Sequence, residues 1–224
     1  LYKIGSGDIT WLEIIDYILE KNKPVLIATG ASTYEDVSRV MKMALKKTPN
    51  IVLMQCNTNY TGSSDNFNYC NLNVLKQYAI DYPNTVLGLS DHTAGHATTL
   101  GAIALGARVI EKHFTDDNNQ QGPDHGFAMN PQSWKNMVDR SYELLVSLGD
   151  GVKVVESNEE QSKLVQRRCL RVVTNLKKGH ILSDEDFISL RPISEGGFEP
   201  YEKASLIGKE LLLDIDAGEH LTKE

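Results

Sequence analysis

The chain has 224 residues, of which 41% are hydrophobic and 24% are charged. This composition is typical of a globular protein and excludes disordered and fibrous classes. The net charge of −7 and the absence of a basic stripe argue against nucleic acid as a partner, and no apolar run approaches the ~18 residues of a membrane span. The three cysteines, Cys56, Cys70 and Cys169, lack metal-ligand spacing and indicate reduced thiols in a cytoplasmic protein.

Short β-rich runs alternate with helical patterns over the first 150 residues. The predicted strand ends are Lys3–Gly7, Val25–Gly30, Ile51–Cys56, Val86–His92 and Arg108–Phe114. The helices between them include two predicted to begin at capping boxes, Thr10-Trp11-Leu12-Glu13 and Ser32-Thr33-Tyr34-Glu35, and two over residues 71–79 and 96–105.

This alternation predicts a parallel α/β architecture. An open doubly wound sheet and a (β/α)8 barrel both fit the pattern. A barrel requires about three further strands upstream. Because the first residues already have the pattern of a strand end and the chain does not open with Met, we expect the natural protein to begin earlier.

The pattern changes after residue 130. Asn130 and Pro131 form a good N-cap and first helical residue for a helix that ends near Gly149. Residues 151–166 are polar and are predicted to be a linker. Short β runs and turns follow, among them Leu170–Val173, Phe187–Leu190 and Leu211–Ile215. The predicted organisation is therefore an α/β domain over 1–150, a linker over 151–166 and a small β-rich domain over 167–224.

The strongest candidate chemistry lies at two neighbouring strand ends. Side chains alternate along a strand, so Ser90 and His92 share one face of their strand, and Glu111 and His113 share one face of the next. The two histidines are one βα unit apart and can stand at similar height. Two imidazoles near a carboxylate can hold a divalent metal with open positions, although histidines at strand ends also serve as hydrogen-bonded structural residues.

Three polar loops are weaker candidates. Lys3-Ile4-Gly5-Ser6-Gly7 combines a cation, a hydroxyl and exposed backbone N–H groups, which can cradle a phosphate or form an ordinary turn. The segment 55–60 is rich in Asn and Thr and can satisfy its own backbone. Gly122-Pro123-Asp124-His125 is most simply a turn.

Together these motifs resemble the sialic acid synthase family, the phosphoenolpyruvate-dependent synthases of nine-carbon sugar acids. The resemblance spans essentially the whole chain in the family's order. Its most specific parts are the two strand-end motifs and the Gly-Pro-Asp loop that follows them. The matching segments are Lys3-Ile4-Gly5-Ser6-Gly7, Ala28-Thr29-Gly30, Gly88-Leu89-Ser90-Asp91-His92-Thr93, Ala104-Leu105-Gly106-Ala107, Glu111-Lys112-His113-Phe114-Thr115, Gly122-Pro123-Asp124, Met129-Asn130-Pro131, Lys177-Lys178-Gly179, Ser183-Asp184-Glu185-Asp186, Arg191-Pro192 and Ile207-Gly208-Lys209.

The resemblance implies a (β/α)8 TIM barrel, here its C-terminal part, followed by a small antifreeze-like (SAF) domain. It implies a homodimer in which each SAF domain covers the partner's barrel mouth. The implied reaction joins C3 of phosphoenolpyruvate to the aldehyde of an open-chain N-acylated hexosamine and releases phosphate. A divalent metal, manganese or magnesium, would polarise the aldehyde and position water.

The resemblance also assigns roles to individual residues. His92 and His113 match the metal ligands, Glu111 matches a carboxylate beside the metal, and Lys3 matches a catalytic group that also contacts phosphoenolpyruvate. The remaining matches are substrate contacts: Ser6 and Ser90 for phosphoenolpyruvate, Thr58, Tyr60 and Asp124 around the sugar, and Arg191 contributed across the dimer.

Two positions depart from the family pattern. Ala28 stands where some members have a phosphate-binding Ser, and Thr58 stands where some have Asn. The segment 55–61 is closest to that of legionaminic acid synthases, which implies a 2,4-diacetamido-2,4,6-trideoxyhexose as the sugar, with N-acetylmannosamine as the other candidate. The family's early strands carry a Glu, a Lys and an Asn of the site, and none of these is found here.

Two other functions remain open on the sequence. One is a synthase of pseudaminic or another nonulosonic acid. The other is a non-catalytic sugar-binding protein, if the gene product starts at Leu1.

Overall fold

The computed structural model describes residues 1–223 and divides them into two compact units. The first spans Leu1–Gly151 and the second begins at Val152. Each unit contains its own cluster of buried apolar side chains.

The first unit is a parallel sheet of five strands connected by helices. The strands pair in chain order, each with the next. They are β1 (Tyr2–Ile4), β2 (Val25–Ala28), β3 (Ile51–Cys56), β4 (Val86–Asp91) and β5 (Val109–Lys112). The helices are α1 (Leu12–Leu19), α2 (Tyr34–Lys47), α3 (Val74–Asp81), α4 (Ala97–Ala104) and α5 (Pro131–Ser147).

The sheet is curled into a half-barrel. Lys3 on β1 and Glu111 on β5 form an ion pair with Nζ and Oε1 2.8 Å apart, although three strands lie between theirs. In a flat sheet β1 and β5 would be about 19 Å apart, because neighbouring strands are separated by ~4.8 Å. The two side chains can meet only across the inside of a strongly curved sheet. The barrel architecture predicted from the sequence is confirmed, and the open doubly wound sheet is excluded.

The two faces of the sheet pack against different partners. The main core lies between the outer face and the helices, where Ile27 and Leu53 are fully buried with Ile15 of α1 and Met41 of α2. The inner face carries a smaller apolar cluster of Leu26, Val52, Met54 and the partly buried Val109. Burial on both faces explains why the strands are nearly continuous apolar runs.

Helix starts agree with the sequence at α5 and differ at α1 and α2. Asn130 caps α5, with its side chain accepting from the backbone N–H of Ser133. Thr33, not Ser32, caps α2, because the Ser32 hydroxyl donates to the carbonyl of Gly30 instead. The capping box predicted at Thr10 is wrong, since α1 begins one residue later and Trp11 at its N-cap makes no side-chain capping bond.

The second unit is small and mostly irregular. It contains helix α6 (Glu160–Gln166), within the segment predicted as a linker, and an antiparallel pair of strands, β6 (Cys169–Val172) and β7 (Phe187–Leu190). Leu211–Ile215 is not a strand; its last residue, Ile215, forms an isolated bridge with Leu176, and Glu210, just before the segment, forms another with Ile181. Its core consists of Leu170, Val172, Leu176, Leu182, Phe187, Leu206 and Leu211.

Across residues 1–223, none of the helices has the length and apolar character needed to cross a lipid bilayer.

Candidate active site

The carboxyl ends of β1, β4 and β5 bring three polar side chains into one hydrogen-bonded group. Lys3 Nζ donates to Glu111 Oε1 over 2.8 Å, and Ser90 Oγ donates to the same oxygen over 2.9 Å. Ser90 and Glu111 are direct neighbours in the parallel register, which fixes their heights. The group places a cation, a hydroxyl and a carboxylate together at the end of a parallel sheet, where α/β folds carry their function.

Electrostatics hold Glu111 in its ionised form. Burial acts to raise the pKa of this carboxyl, but the ammonium of Lys3, the hydroxyl of Ser90 and the nearby His92 outweigh it, so the pKa lies below its ordinary value. The carboxylate oxygen engaged by Lys3 and Ser90 is therefore an acceptor, and the ammonium of Lys3 retains two further N–H donors.

His92 and His113 lie side by side, with ring centroids 5.2 Å apart. Nδ1 of His92 is 2.9 Å from the carbonyl oxygen of Asn57. A carbonyl can only accept, so this Nδ1 carries the hydrogen and the neutral ring has its free electron pair on Nε2. Nδ1 of His113 faces Oδ2 of Asp124 at 3.3 Å, which favours the same tautomer. Both rings thus keep Nε2 available as a ligand.

The pair fits a divalent metal with open coordination positions. Imidazole nitrogens whose other ring N–H is held by a carbonyl or carboxylate are a common arrangement at protein metal sites. Within residues 1–223 no group of three or more His, Cys, Asp or Glu side chains is placed to hold a metal. The described part of the chain therefore offers two candidate ligands, and the remaining positions would be filled by water, substrate or other groups.

The ring of His92 packs against two further side chains. Its ring lies 4.2 Å from the ring of Tyr60, and its Nδ1 is 3.9 Å from Sγ of Cys56. Burial acts to lower the pKa of His92. The contacts with Cys56 and the Asn57 carbonyl and the charge of Asp91 outweigh this effect, and the pKa lies above its ordinary value. Tyr60 is also 5.6 Å from the ring of His113, so it borders both imidazoles.

A second cluster surrounds Gly30 at the end of β2. The backbone N–H of Gly30 donates to Ser6 Oγ over 2.9 Å, and the Ser6 hydroxyl also lies beside the Cys56 thiol, whose pKa it helps to lower. A Cβ at this glycine would overlap the hydroxyl of Thr58 and press on Ser6 Oγ and Cys56 Sγ. The absence of a side chain at Gly30 is what allows these three groups to approach each other.

The structure gathers most of the predicted site residues. The group at the sheet end, defined by Lys3, Ser90, Glu111, His92, His113, Tyr60 and Asp124, is connected by the contacts above. Ser6 and Thr58 meet at Gly30. Arg191 belongs to the second unit, where its Nε donates to the carbonyl of Gln166 over 2.6 Å.

The groups that support this site were not among the residues predicted from the sequence. Asp91 and Lys112, which directly precede the two histidines in the chain, form a buried ion pair with Nζ and Oδ2 2.6 Å apart. Asn118 holds the loop after β5 by donating to the carbonyls of His125 and Ala128. Opposite charges at matching positions of the two strand-end motifs were the signal that could have revealed the ion pair.

The chain matches two family models that together cover most of its length. Residues 1–153 match the NeuB family, and residues 167–224 match the SAF domain.

Two relatives are named as synthases of sugar acids. The chain is 34% identical over 206 residues to the N,N'-diacetyllegionaminic acid synthase of Campylobacter jejuni, covering 91% of this chain and 60% of the relative. It is 31% identical over 221 residues to a pseudaminic acid synthase of the same species, covering 98% of this chain and 62% of the relative.

Among solved structures, the N-acetylneuraminic acid synthetase of Leptospira borgpetersenii, in complex with citrate, matches with a TM-score of 0.65 and 25% identity, covering 71% of this chain and 55% of that one. The chain thus spans about three fifths of the length of these curated relatives.

We predict that Gly30→Ala lowers the free energy of unfolding by about 1–3 kcal/mol, because the added methyl group overpacks the contact between Ser6, Cys56 and Thr58. Gly7→Ala is the matched control: it lies in the neighbouring loop with open space around its Cβ, and we expect a change within about 0.5 kcal/mol. Urea unfolding of both variants measures the difference. Equal stability of the two variants would show that position 30 is not crowded.

Proposed function

The chain belongs to the NeuB family, and from this membership we propose that its intact gene product condenses phosphoenolpyruvate with an open-chain N-acylated hexosamine. The products are a nine-carbon sugar acid and inorganic phosphate. The observation that carries the proposal is the convergence of Lys3, Ser90 and Glu111 with two adjacent imidazoles at one end of the half-barrel. The names of the relatives, synthases of legionaminic and pseudaminic acid, agree with this reaction class.

The proposed reaction forms one bond between carbons and releases phosphate. C3 of phosphoenolpyruvate attacks the aldehyde carbon of the sugar, and the aldehyde oxygen takes up a proton. Water adds at C2, and the bond between C2 and the phosphate oxygen breaks. In this scheme Lys3 uses its two remaining N–H donors, and Ser6 its hydroxyl group, to hold the anionic groups of phosphoenolpyruvate. Glu111 and Ser90 keep the ammonium of Lys3 oriented.

We propose His92 and His113 as ligands of a divalent metal, manganese or magnesium. Their Nδ1 atoms are engaged by Asn57 and Asp124, which leaves Nε2 of each ring for the metal. A metal bound there would polarise the aldehyde and orient water.

The sugar would lie beside the imidazoles. Tyr60 borders both rings, Asp124 contacts His113, and Thr58 lies next to Gly30, so these three side chains are the proposed sugar contacts. The similarity to a legionaminic acid synthase supports a 2,4-diacetamido-2,4,6-trideoxymannose as the substrate. N-acetylmannosamine is the second candidate. The similarity to a pseudaminic acid synthase supports the corresponding pseudaminic acid precursor as an alternative.

An assembly and a location are also proposed. We propose a homodimer in which Arg191 of one subunit reaches the sugar site of the other, as a guanidinium suited to hydrogen-bonding sugar oxygens or a carboxylate. All three cysteines are free thiols, which is typical of a reducing compartment and supports a cytoplasmic location.

Phosphate release from phosphoenolpyruvate tests the reaction directly. We expect the intact gene product to release phosphate only when an N-acylated hexosamine and Mn²⁺ are both present, fastest with the diacetamido-trideoxymannose. The panel contains this sugar, N-acetylmannosamine and the pseudaminic acid precursor. Sugar binding without phosphate release from any of them would favour the non-catalytic binding protein instead.

The metal ligands are tested by replacing each histidine. We expect His92→Ala and His113→Ala to weaken Mn²⁺ binding at least tenfold, about 1.4 kcal/mol, and to abolish phosphate release, while the circular dichroism spectrum stays native. His96→Ala is the control, since this histidine makes no capping bond at the start of α4. Affinity within about threefold of the wild-type value in either ligand variant contradicts the assignment.

The shared site is tested by complementation. We expect Arg191→Ala and His92→Ala subunits to be nearly inactive alone and to recover activity when mixed, because half of the freely exchanged dimers hold one intact site out of two. The expected recovery is about a quarter of the wild-type activity. Native mass spectrometry verifies the exchange, and no recovery after exchange would place Arg191 outside the partner's site.

A further inference from the structure

We propose that the buried ion pair of Asp91 and Lys112 is a positioning device that fixes the His92 ring beside His113. Neither charged group points into the site. Side chains alternate along each strand, so these two lie on the face opposite Ser90 and Glu111, towards α4. They therefore position the imidazoles through the backbone.

Asp91 organises the chain immediately after His92. Its Oδ1 accepts from the backbone N–H of Thr93 over 3.0 Å and from the Thr93 hydroxyl over 2.9 Å. Its Oδ2 accepts from the hydroxyl of Thr98 at the start of α4. Because Asp91 precedes His92 and Thr93 follows it, both neighbours of the histidine are bound to each other, and the direction of its side chain is set.

Lys112 extends this arrangement to the adjacent strand. Its Nζ donates to Asp91 Oδ2 over 2.6 Å and to the backbone carbonyl of Thr93 over 2.8 Å. Lys112 directly precedes His113 in the chain and pairs with Asp91 in the register. The ammonium group of the residue before His113 therefore binds the residues on both sides of His92.

The cost of this pair points to a role beyond stability. The side chains of Lys112 and Asp91 are 1% and 3% exposed, so both charges are almost fully removed from water. Buried ion pairs rarely stabilise a fold more than apolar side chains of the same volume would. Apolar packing has no direction, whereas these hydrogen bonds fix the carbonyl of Thr93 and the N–H beside it. What the pair supplies is orientation.

The proposed effect on the metal rests on the proposed function, because it requires His92 and His113 to be ligands. The effect on the His92 ring does not. With its backbone held, the ring keeps Nδ1 on the Asn57 carbonyl at 2.9 Å. Without the pair, the ring can turn away from that carbonyl and lose its single tautomer, with or without a metal.

The test uses Asp91→Asn/Lys112→Met, which removes both charges without leaving one unpaired. The first readout is the tautomer of the His92 ring in the metal-free protein, from two-dimensional NMR of imidazole ¹⁵N. The second is the Mn²⁺ affinity, from the EPR signal of free Mn²⁺. Val40→Ala is the matched control, because it opens a cavity in the α2 core and lowers stability without touching the strand ends.

We expect wild-type His92 to hold its hydrogen on Nδ1, and the double variant to show a mixture of tautomers with an Mn²⁺ affinity about tenfold lower. The control should lose stability and keep both wild-type readouts. A single, unchanged tautomer in the double variant overturns the proposal, and so does an equal change in the control. A changed tautomer in a protein whose wild type binds no Mn²⁺ supports the positioning role and contradicts the metal site.

Thr98→Val serves if the double variant fails to fold. It removes only the hydroxyl that donates to Asp91 from α4. We expect the tautomer mixture to appear to a smaller extent, with an Mn²⁺ affinity about threefold lower. Wild-type behaviour in both readouts would overturn the proposal.

Discussion

The parallel pairing of β4 with β5 is the constraint on which the site depends. Ser90 stands opposite Glu111 and Asp91 stands opposite Lys112. The residues that follow, His92 and His113, inherit the same height. A slip of one residue would exchange the faces of one strand, placing a lysine inside and a carboxylate against the helices. The main-chain register thus decides at once which groups face the site and which are buried behind it.

The curl of the sheet supplies the second condition. It lets Lys3 on one edge strand reach Glu111 on the other, a contact between residues 108 positions apart in the chain. Because the two side chains are 26% and 44% exposed, water screens their attraction, and the pair adds little to stability. Its effect is to place an oriented ammonium group at the mouth of the half-barrel, in a protein whose net charge is −7. An anionic ligand therefore finds a local cation in an otherwise acidic protein.

The sequence was most informative where local rules apply. Alternation along strands predicted that Ser90 would face the same way as His92, and Asn130 was a correct cap because its partner Ser133 is three residues away. Local rules failed where a distant or competing partner decides the outcome. Ser32 binds the carbonyl of Gly30 instead of capping α2, and the crowding at Gly30 arises from two other segments of the chain, around Ser6 and over residues 56–58.

The strands at the two borders of the half-barrel have a practical consequence. Within residues 1–223, β1 pairs only with β2, and β5 pairs only with β4. The outward N–H and C=O groups of β1 and β5 can be satisfied by water or by a further strand. The half-barrel within residues 1–223 therefore has two open edges at which a strand of another molecule can add. A low protein concentration during purification, or fusion to a strongly charged carrier, should reduce association through these edges.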